Sequence, residues 1–347
     1  MPSSDLDYSH IFANQLNVYG DNVAIIEASG NCISYLKLDE LIDALHLSIS
    51  KKFKRHVKNA HEMKKLFIIL MDNSLESVVN YLYCLKYNHA ALLLSDDIHN
   101  DYLAGIIELY QPSGILSARD NESSIRVLSL DDHEDIHPDL AVLLSTSGST
   151  GSPKQVRLSR QNIQENAASI CAYLSITEDQ RAISSLPAHY SYGLSVINSH
   201  LLAGASIVVT NASIVTRGFW ELFNKHSVTS FSGVPYTYEV LEKLRFIRMD
   251  LPSLQYMTQA GGRLPKKLVT LFSEALHEKG KRLYLMYGQT EATARIAYLP
   301  PEKIKQHPDS IGLAIPKGDL YLKNEEGHLI EQCEVVGELI YRGPNVM

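Results

Sequence analysis

Apolar residues recur along this chain in two alternating rhythms. Residues 66–70, 90–94, 113–118 and 141–144 are short, near-continuous apolar runs, the pattern of strands buried on both faces. Between them lie stretches with helical spacing. Leu41, Ile42, Leu45 and Ile49 share one face of a helix starting near residue 38, and Leu75, Val78, Val79, Leu82 and Leu85 share another. Asn73 with Glu76 three residues on has the capping-box arrangement for that second helix. Near the N-terminus, residues 23–27 and 32–36 flank the turn signal Ala28-Ser29-Gly30-Asn31 and predict a hairpin. Strand–helix–strand alternation of this kind predicts parallel strands joined by crossover helices.

The alternation resumes further on. Ile163, Ala167, Ile170, Cys171 and Leu174 mark a helix, residues 181–186 a strand ending at Pro187, and residues 206–210 another strand. Strands at 229–231, 254–258 and 282–286 are separated by helices near Trp220, after Pro235 and at 266–276. From about Asp309 the texture changes to short strands at 319–323, 328–331 and 335–341 with no helix between, the start of a small antiparallel barrel or sheet. A chain of 347 residues is long for one core. The expectation is an α/β protein of two similar subdomains, residues 1–175 and 176–308, followed by a partial β-barrel subdomain at 309–347.

Charge and composition exclude several functions. A formal net charge of −7 offers no footprint for nucleic acid, and the basic cluster at 51–65 reads as a solvated helix end or loop. The four cysteines (Cys32, Cys84, Cys171, Cys333) show no CxxC spacing, which argues against a zinc site or a disulfide framework and suits a reducing compartment. No apolar run approaches membrane-spanning length, and residues 1–10 lack a signal core. A cytoplasmic protein is expected. The acidic segment 131–139 carries His133 and His137 without metal-ligand spacing and reads as a solvated loop.

The candidate chemistry centres on Ser145-Thr146-Ser147-Gly148-Ser149-Thr150-Gly151-Ser152-Pro153-Lys154, which lies between an apolar run and a helical pattern. Glycine lets backbone approach an anion, hydroxyls and N–H groups then point at it, and Lys154 adds a mobile positive charge. A Ser/Gly linker has similar composition, but this segment is short, closely bounded and stiffened by Pro153. A Walker A loop needs Gly-Lys-Ser/Thr in succession, whereas here Pro153 precedes Lys154. The loop reads as one that wraps nucleotide phosphates.

Three further motifs follow in order: Gly261-Gly262, Tyr287-Gly288-Gln289-Thr290-Glu291 and Gly337-Glu338-Leu339. Together with the phosphate loop, and with Ile33-Ser34-Tyr35-Leu36 and Asn73-Ser74-Leu75-Glu76 earlier, the chain resembles the large N-terminal region of the adenylate-forming superfamily. That group comprises acyl- and aryl-CoA synthetases, nonribosomal peptide adenylation domains and firefly luciferase. The resemblance implies a layered α/β/α/β/α fold and activation of a carboxylic acid by ATP with Mg²⁺. The carboxylate attacks the α-phosphate, pyrophosphate leaves, and a thiol of CoA or of a carrier protein's phosphopantetheine displaces AMP. By position, Thr146, Ser147, Gly148, Ser149, Thr150, Gly151 and Lys154 would hold the β- and γ-phosphates. Thr290 would bond the α-phosphate and Glu291 would help bind Mg²⁺. Tyr287, Gly288 and the Gly261-Gly262 backbone would flank adenine. Taken singly, Tyr287 could equally be a core tyrosine and Glu291 a first-turn carboxylate.

Departures from the family pattern bear on the substrate. Gln155 stands where glycine is usual after the lysine. Tyr190, with His189 beside it, stands where many acyl-CoA synthetases carry a histidine or aromatic three residues before the glycine matching Gly193, and either ring could gate the acyl pocket or pack structurally. Ser191 stands where amino-acid-activating domains commonly place an aspartate, and a buried ammonium without a carboxylate would be costly. An aliphatic, aryl or hydroxy acid is expected, with Val234, Pro235, Tyr236, Ala260 and Gly262 as pocket walls. The sequence ends at Gly343-Pro344-Asn345-Val346-Met347, before the family's ribose-binding segment and mobile lid. A truncated or naturally short chain with weak or no turnover is therefore expected. An idle nucleotide- or acyl-binding protein and an amino-acid-adenylating domain are the alternatives.

Overall fold

The computed structural model describes residues 11–54, 63–119, 122–129, 136–146 and 154–347. The strands are β1 (Val23–Glu27), β2 (Cys32–Ser34), β3 (Leu66–Met71), β4 (Ala90–Ser95), β5 (Gly114–Arg119), β6 (Glu122–Val127), β7 (Leu140–Ser145), β8 (Gln155–Ser159), β9 (Arg181–Ile183), β10 (Ser206–Val209), β11 (Ser230–Gly233), β12 (Tyr256–Gln259), β13 (Arg282–Tyr287), β14 (Ala297–Leu299), β15 (Leu313–Ala314), β16 (Asp319–Lys323), β17 (Leu329–Ile330) and β18 (Glu338–Arg342). The helices are α1 (Tyr35–Lys54), α2 (Leu75–Lys86), α3 (Asn100–Tyr110), α4 (Arg160–Leu174), α5 (Ser191–Leu202), α6 (Arg217–Lys225), α7 (Pro235–Lys243) and α8 (Lys266–Glu278).

The apolar runs become the parallel interiors of two sheets. One has the order β6-β5-β3-β4-β7-β8, with β5, β3, β4 and β7 parallel and both edge strands antiparallel. The other runs β15-β14-β13-β12-β11-β9-β10-β1-β2, parallel from β13 to β1. Each sheet is apolar on both faces, so each needs a helical layer on both sides. Ile68, Leu92 and Leu143 of the six-stranded sheet pack on Ile106 of α3. From the opposite face Phe67, Leu93 and Leu144 meet a shared layer of α1, α2, α4 and α5, which also covers Ile25 and Ile207 of the nine-stranded sheet. Phe231, Met257 and Leu283 face outward onto α6, α7 and α8. The result is the expected α/β/α/β/α layering, with β16, β17 and β18 as a separate three-stranded antiparallel sheet.

Several local expectations shift. The hairpin β1–β2 falls within residues 1–175 but joins the nine-stranded sheet, because the fully buried Ala24 and Ile25 pair β1 in parallel with β10. The strand expected at 32–36 stops at Ser34, and helix α1 begins at Tyr35. Helix α2 is capped by Ser74 rather than Asn73, its hydroxyl accepting from Ser77 N at 3.3 Å. The strand expected at 181–186 is only three residues long. Much of the basic cluster at 51–65 and most of the acidic segment 131–139 lie outside the described residues.

Candidate active site

Parallel strands in an open sheet leave their loops in a crevice at the carboxyl ends of the strands. Here Thr146 follows β7, Val234 follows β11, Ala260-Gly261-Gly262 follow β12 and Tyr287 ends β13, while Tyr190 and Ser191 follow β9. A cleft of about 650 Å³ is lined by Thr146, Tyr190, Ser191, Ala260, Gly261, Gly262, Tyr287, Gly288, Thr290 and Glu291. Residues separated by up to 145 positions in sequence thus converge on one site. Thr290 and Ser191 touch, Oγ1 donating to Oγ at 3.4 Å.

The Tyr287-to-Glu291 segment is shaped by a hairpin. Strands β13 and β14 pair antiparallel with Tyr287 opposite Ala297, and Ile296 N donates to the Tyr287 carbonyl at 2.9 Å. The intervening loop therefore folds tightly back on itself. At Gly288 a Cβ would lie 2.0 Å from the carbonyl oxygen of Ala294, so only glycine fits. Thr290–Ala292 is a single 3₁₀ turn, ended by Thr293 at φ 63°. Glu291 is therefore not in the first turn of an α-helix. Asn345, 1% exposed, holds the far side of the loop. Its amide donates to the carbonyls of Ala292 and Arg295 at 2.8 and 2.7 Å, and the Asn345 carbonyl accepts from Thr293 Oγ1 at 2.7 Å.

The glycine pair forms an open shelf on the facing wall. Gly261 has φ 80°, and a Cβ there would lie 2.8 Å from Tyr190 Oη and 3.0 Å from Val234 Cγ1. Side-chain-free backbone beside an exposed aromatic ring, Tyr287, suits a flat heterocycle. Two carboxylates, Glu291 and Asp309, line the cleft, and no cluster of three or more His, Cys, Asp or Glu that could hold a metal occurs among the described residues. That arrangement fits Mg²⁺, which binds through one or two carboxylates plus substrate phosphates rather than in an all-protein cage.

Other expected residues divide. Ser147, Gly148, Ser149, Thr150 and Gly151 lie outside the described residues. Lys154 is exposed immediately before β8 and is not among the residues lining the cleft. His189 does not line it either; burial lowers its pKa, and its nearest polar influences are the Met71 backbone and Asp97 and Asp96. Tyr190 is thus the ring at the cleft. Val234 and Pro235 stand behind the glycine shelf, Pro235 Cγ lying 3.1 Å from where a Gly262 Cβ would be. Residues not anticipated from sequence also reach the cleft: Tyr192, Gln259, Asp309, which pairs with Arg263 at 2.9 Å, and Arg295. Arg295 carried one signal, a lone charge within the otherwise small and apolar run from Ala292 to Ala297.

This architecture has counterparts among solved structures. VinN, a solved structure, superposes with a TM-score of 0.81 at 22% identity over 99% of this chain and 90% of that one. The o-succinylbenzoate coenzyme A synthetase of Bacillus subtilis, solved with ATP and magnesium ion, superposes with a TM-score of 0.78 at 22% identity, covering 97% of this chain and 71% of that one. Among curated proteins, the indoleacetate–CoA ligase of Aromatoleum aromaticum is 28% identical over 203 residues, 58% of this chain and 39% of that ligase. The chain thus spans well under two thirds of such a relative's length. The model of the AMP-binding enzyme family matches residues 12–347. The chain belongs to the AMP-binding enzyme family.

Proposed function

We propose that this chain binds ATP and a carboxylic acid and joins them as an acyl-adenylate with release of pyrophosphate, the activated acyl group then passing to a thiol. The observation that carries the reading is the convergence of Thr146, Ser191, the Gly261-Gly262 shelf and Tyr287 to Glu291 on one cleft. Thr290 beside Ser191 offers two hydroxyls where negative charge builds on the α-phosphate, and such stabilisation acts mainly in the transition state. Tyr287 and the glycine shelf hold adenine; Tyr190 borders the acid. Glu291 would hold Mg²⁺, which neutralises phosphate charge when bound. Lys154 and the residues 146–151 that precede it serve the departing pyrophosphate. The acyl acceptor is CoA, as the relative's name suggests, or the phosphopantetheine of an acyl carrier protein. Ser191 in place of an aspartate favours an acid without an α-ammonium.

The test is acid-dependent ATP–pyrophosphate exchange across a panel of acids, with direct binding of acyl-sulfamoyl-adenosine. A protein shaped for the adenylate binds that mimic about a hundredfold or more tighter than AMP. Equal binding of the mimic and AMP, with no exchange, would leave only nucleotide binding.

A further inference from the structure

We infer that Arg295 selects acids carrying a second carboxylate, an inference that rests on the acid-activating reading above and specifies its substrate class. Arg295 is 2% exposed, and a guanidinium stays charged at any ordinary pH. Its Cζ stands 4.1 Å from the centre of the Tyr192 ring, and Nη1 donates to the Ala294 carbonyl at 3.2 Å. Nε is buried with no hydrogen-bond partner, and no ion pair among the described residues includes this side chain. The ring contact and the neighbouring Tyr173 hydroxyl offset only part of the cost of taking a charge out of water. The structure therefore holds a buried cation whose natural counter-charge is a ligand.

Its position identifies which part of a ligand. Thr290 is half-buried beside Ser191, whereas Arg295 and Tyr192, each 2% exposed, line the same cleft from its buried side. The space that Arg295 shares with Ser195, Ser230, Ser232 and Thr258 is only about 10 Å³, and those hydroxyls are already paired within the protein, so a ligand meets the guanidinium in the cleft itself. An alkyl tail against Arg295 would leave the guanidinium without a counter-charge, a mismatch that polar sites reject strongly. The guanidinium is also held in place. Tyr192 Oη and Thr258 Oγ1 lie 2.7 Å apart, fixing the ring beneath it, and Asn345 grips the Arg295 carbonyl. The acid's reacting carboxylate thus belongs at Thr290, and a second one belongs deeper, at Arg295.

Calorimetry with AMP present, using the dicarboxylates from malonate through suberate against the monocarboxylates of matching length, tests this. The expected result is one diacid bound at least tenfold tighter than its monoacid. Arg295→Met should lose tenfold or more for that diacid relative to its monoacid, and Arg295→Lys should recover part of the loss. Monoacids binding as well as every diacid would overturn the inference, as would an unchanged preference in Arg295→Met. If Arg295→Met fails to fold, the wild-type comparison and Arg295→Lys still decide. Pyrophosphate exchange separates the two readings. Exchange with monoacids alone overturns this inference and leaves acid activation standing. Arg295-dependent diacid binding with neither exchange nor a preference for acyl-sulfamoyl-adenosine over AMP supports the inference and overturns activation.

Discussion

The side-chain amide of Asn345 donates to the main-chain carbonyl of Arg295 at 2.7 Å and to that of Ala292 at 2.8 Å. A residue near the C-terminal end thereby fixes the shape of the loop that carries Thr290 and Glu291. Tyr341 Oη donates to Asn345 Oδ1 at 2.7 Å, so the clamp is itself held. Asn345→Ala removes the side-chain donor to the Arg295 carbonyl and one of two donors to the Ala292 carbonyl, which still accepts from Ala294 N at 2.7 Å, and is expected to cost about 1–3 kcal/mol of stability. Chemical denaturation measures this, and AMP binding should weaken in parallel.

Gly288 turns against the carbonyl of Ala294 with no room for a methyl group. Gly288→Ala should open the hairpin loop and cost about 1–3 kcal/mol, with a large loss of AMP affinity by calorimetry. Gly280→Ala has open space around the added methyl but φ 68°. Its expected effect is confined to stability, with AMP affinity unchanged.

Glu291 is the carboxylate assigned to Mg²⁺. Glu291→Ala should reduce Mg²⁺-dependent ATP affinity by roughly tenfold, about 1.4 kcal/mol, while metal-free AMP binding and the denaturation midpoint stay as in wild type. Equal loss of both nucleotide affinities would show that the residue shapes the cleft rather than binding metal.

Tyr190 and His189 are neighbours in sequence with different surroundings. Tyr190→Ala should alter acid binding and acid selectivity several-fold, and His189→Ala should leave both unchanged, because only the tyrosine lines the cleft. The acid panel used for pyrophosphate exchange reads this directly.

His200 is buried on α5, its Nδ1 2.9 Å from the Val196 carbonyl and its Nε2 3.4 Å from Ser230 Oγ. Burial lowers its pKa from 6.5 to about 4. Between those values the unfolded chain takes up a proton that the folded protein refuses, so stability falls as pH falls through this window. The slope is about 1.4 kcal/mol per pH unit from this one group. Denaturation midpoints between pH 7 and pH 5 should show the decline, and His200→Gln should flatten it.

Periodicity alone carried the elements, because a strand buried on both faces and a helix with one apolar face write different patterns, whereas the layering was implied by the family resemblance. The chemistry of the site was legible as ordered loop motifs, since glycines such as Gly288 are dictated by local backbone geometry. Other features depended on contacts between distant segments. The placement of β1 in the nine-stranded sheet arises from pairing with β10, some 180 residues on. Tyr190 rather than His189 reaches the cleft because of how the chain turns into α5. The burial of Arg295 against Tyr192, and the grip of Asn345 upon it, are set by packing across more than a hundred and by fifty positions respectively. Local patterns follow from each residue's own propensities and period, whereas which charge loses its water, and what it then needs as a partner, is decided only when remote segments close around it.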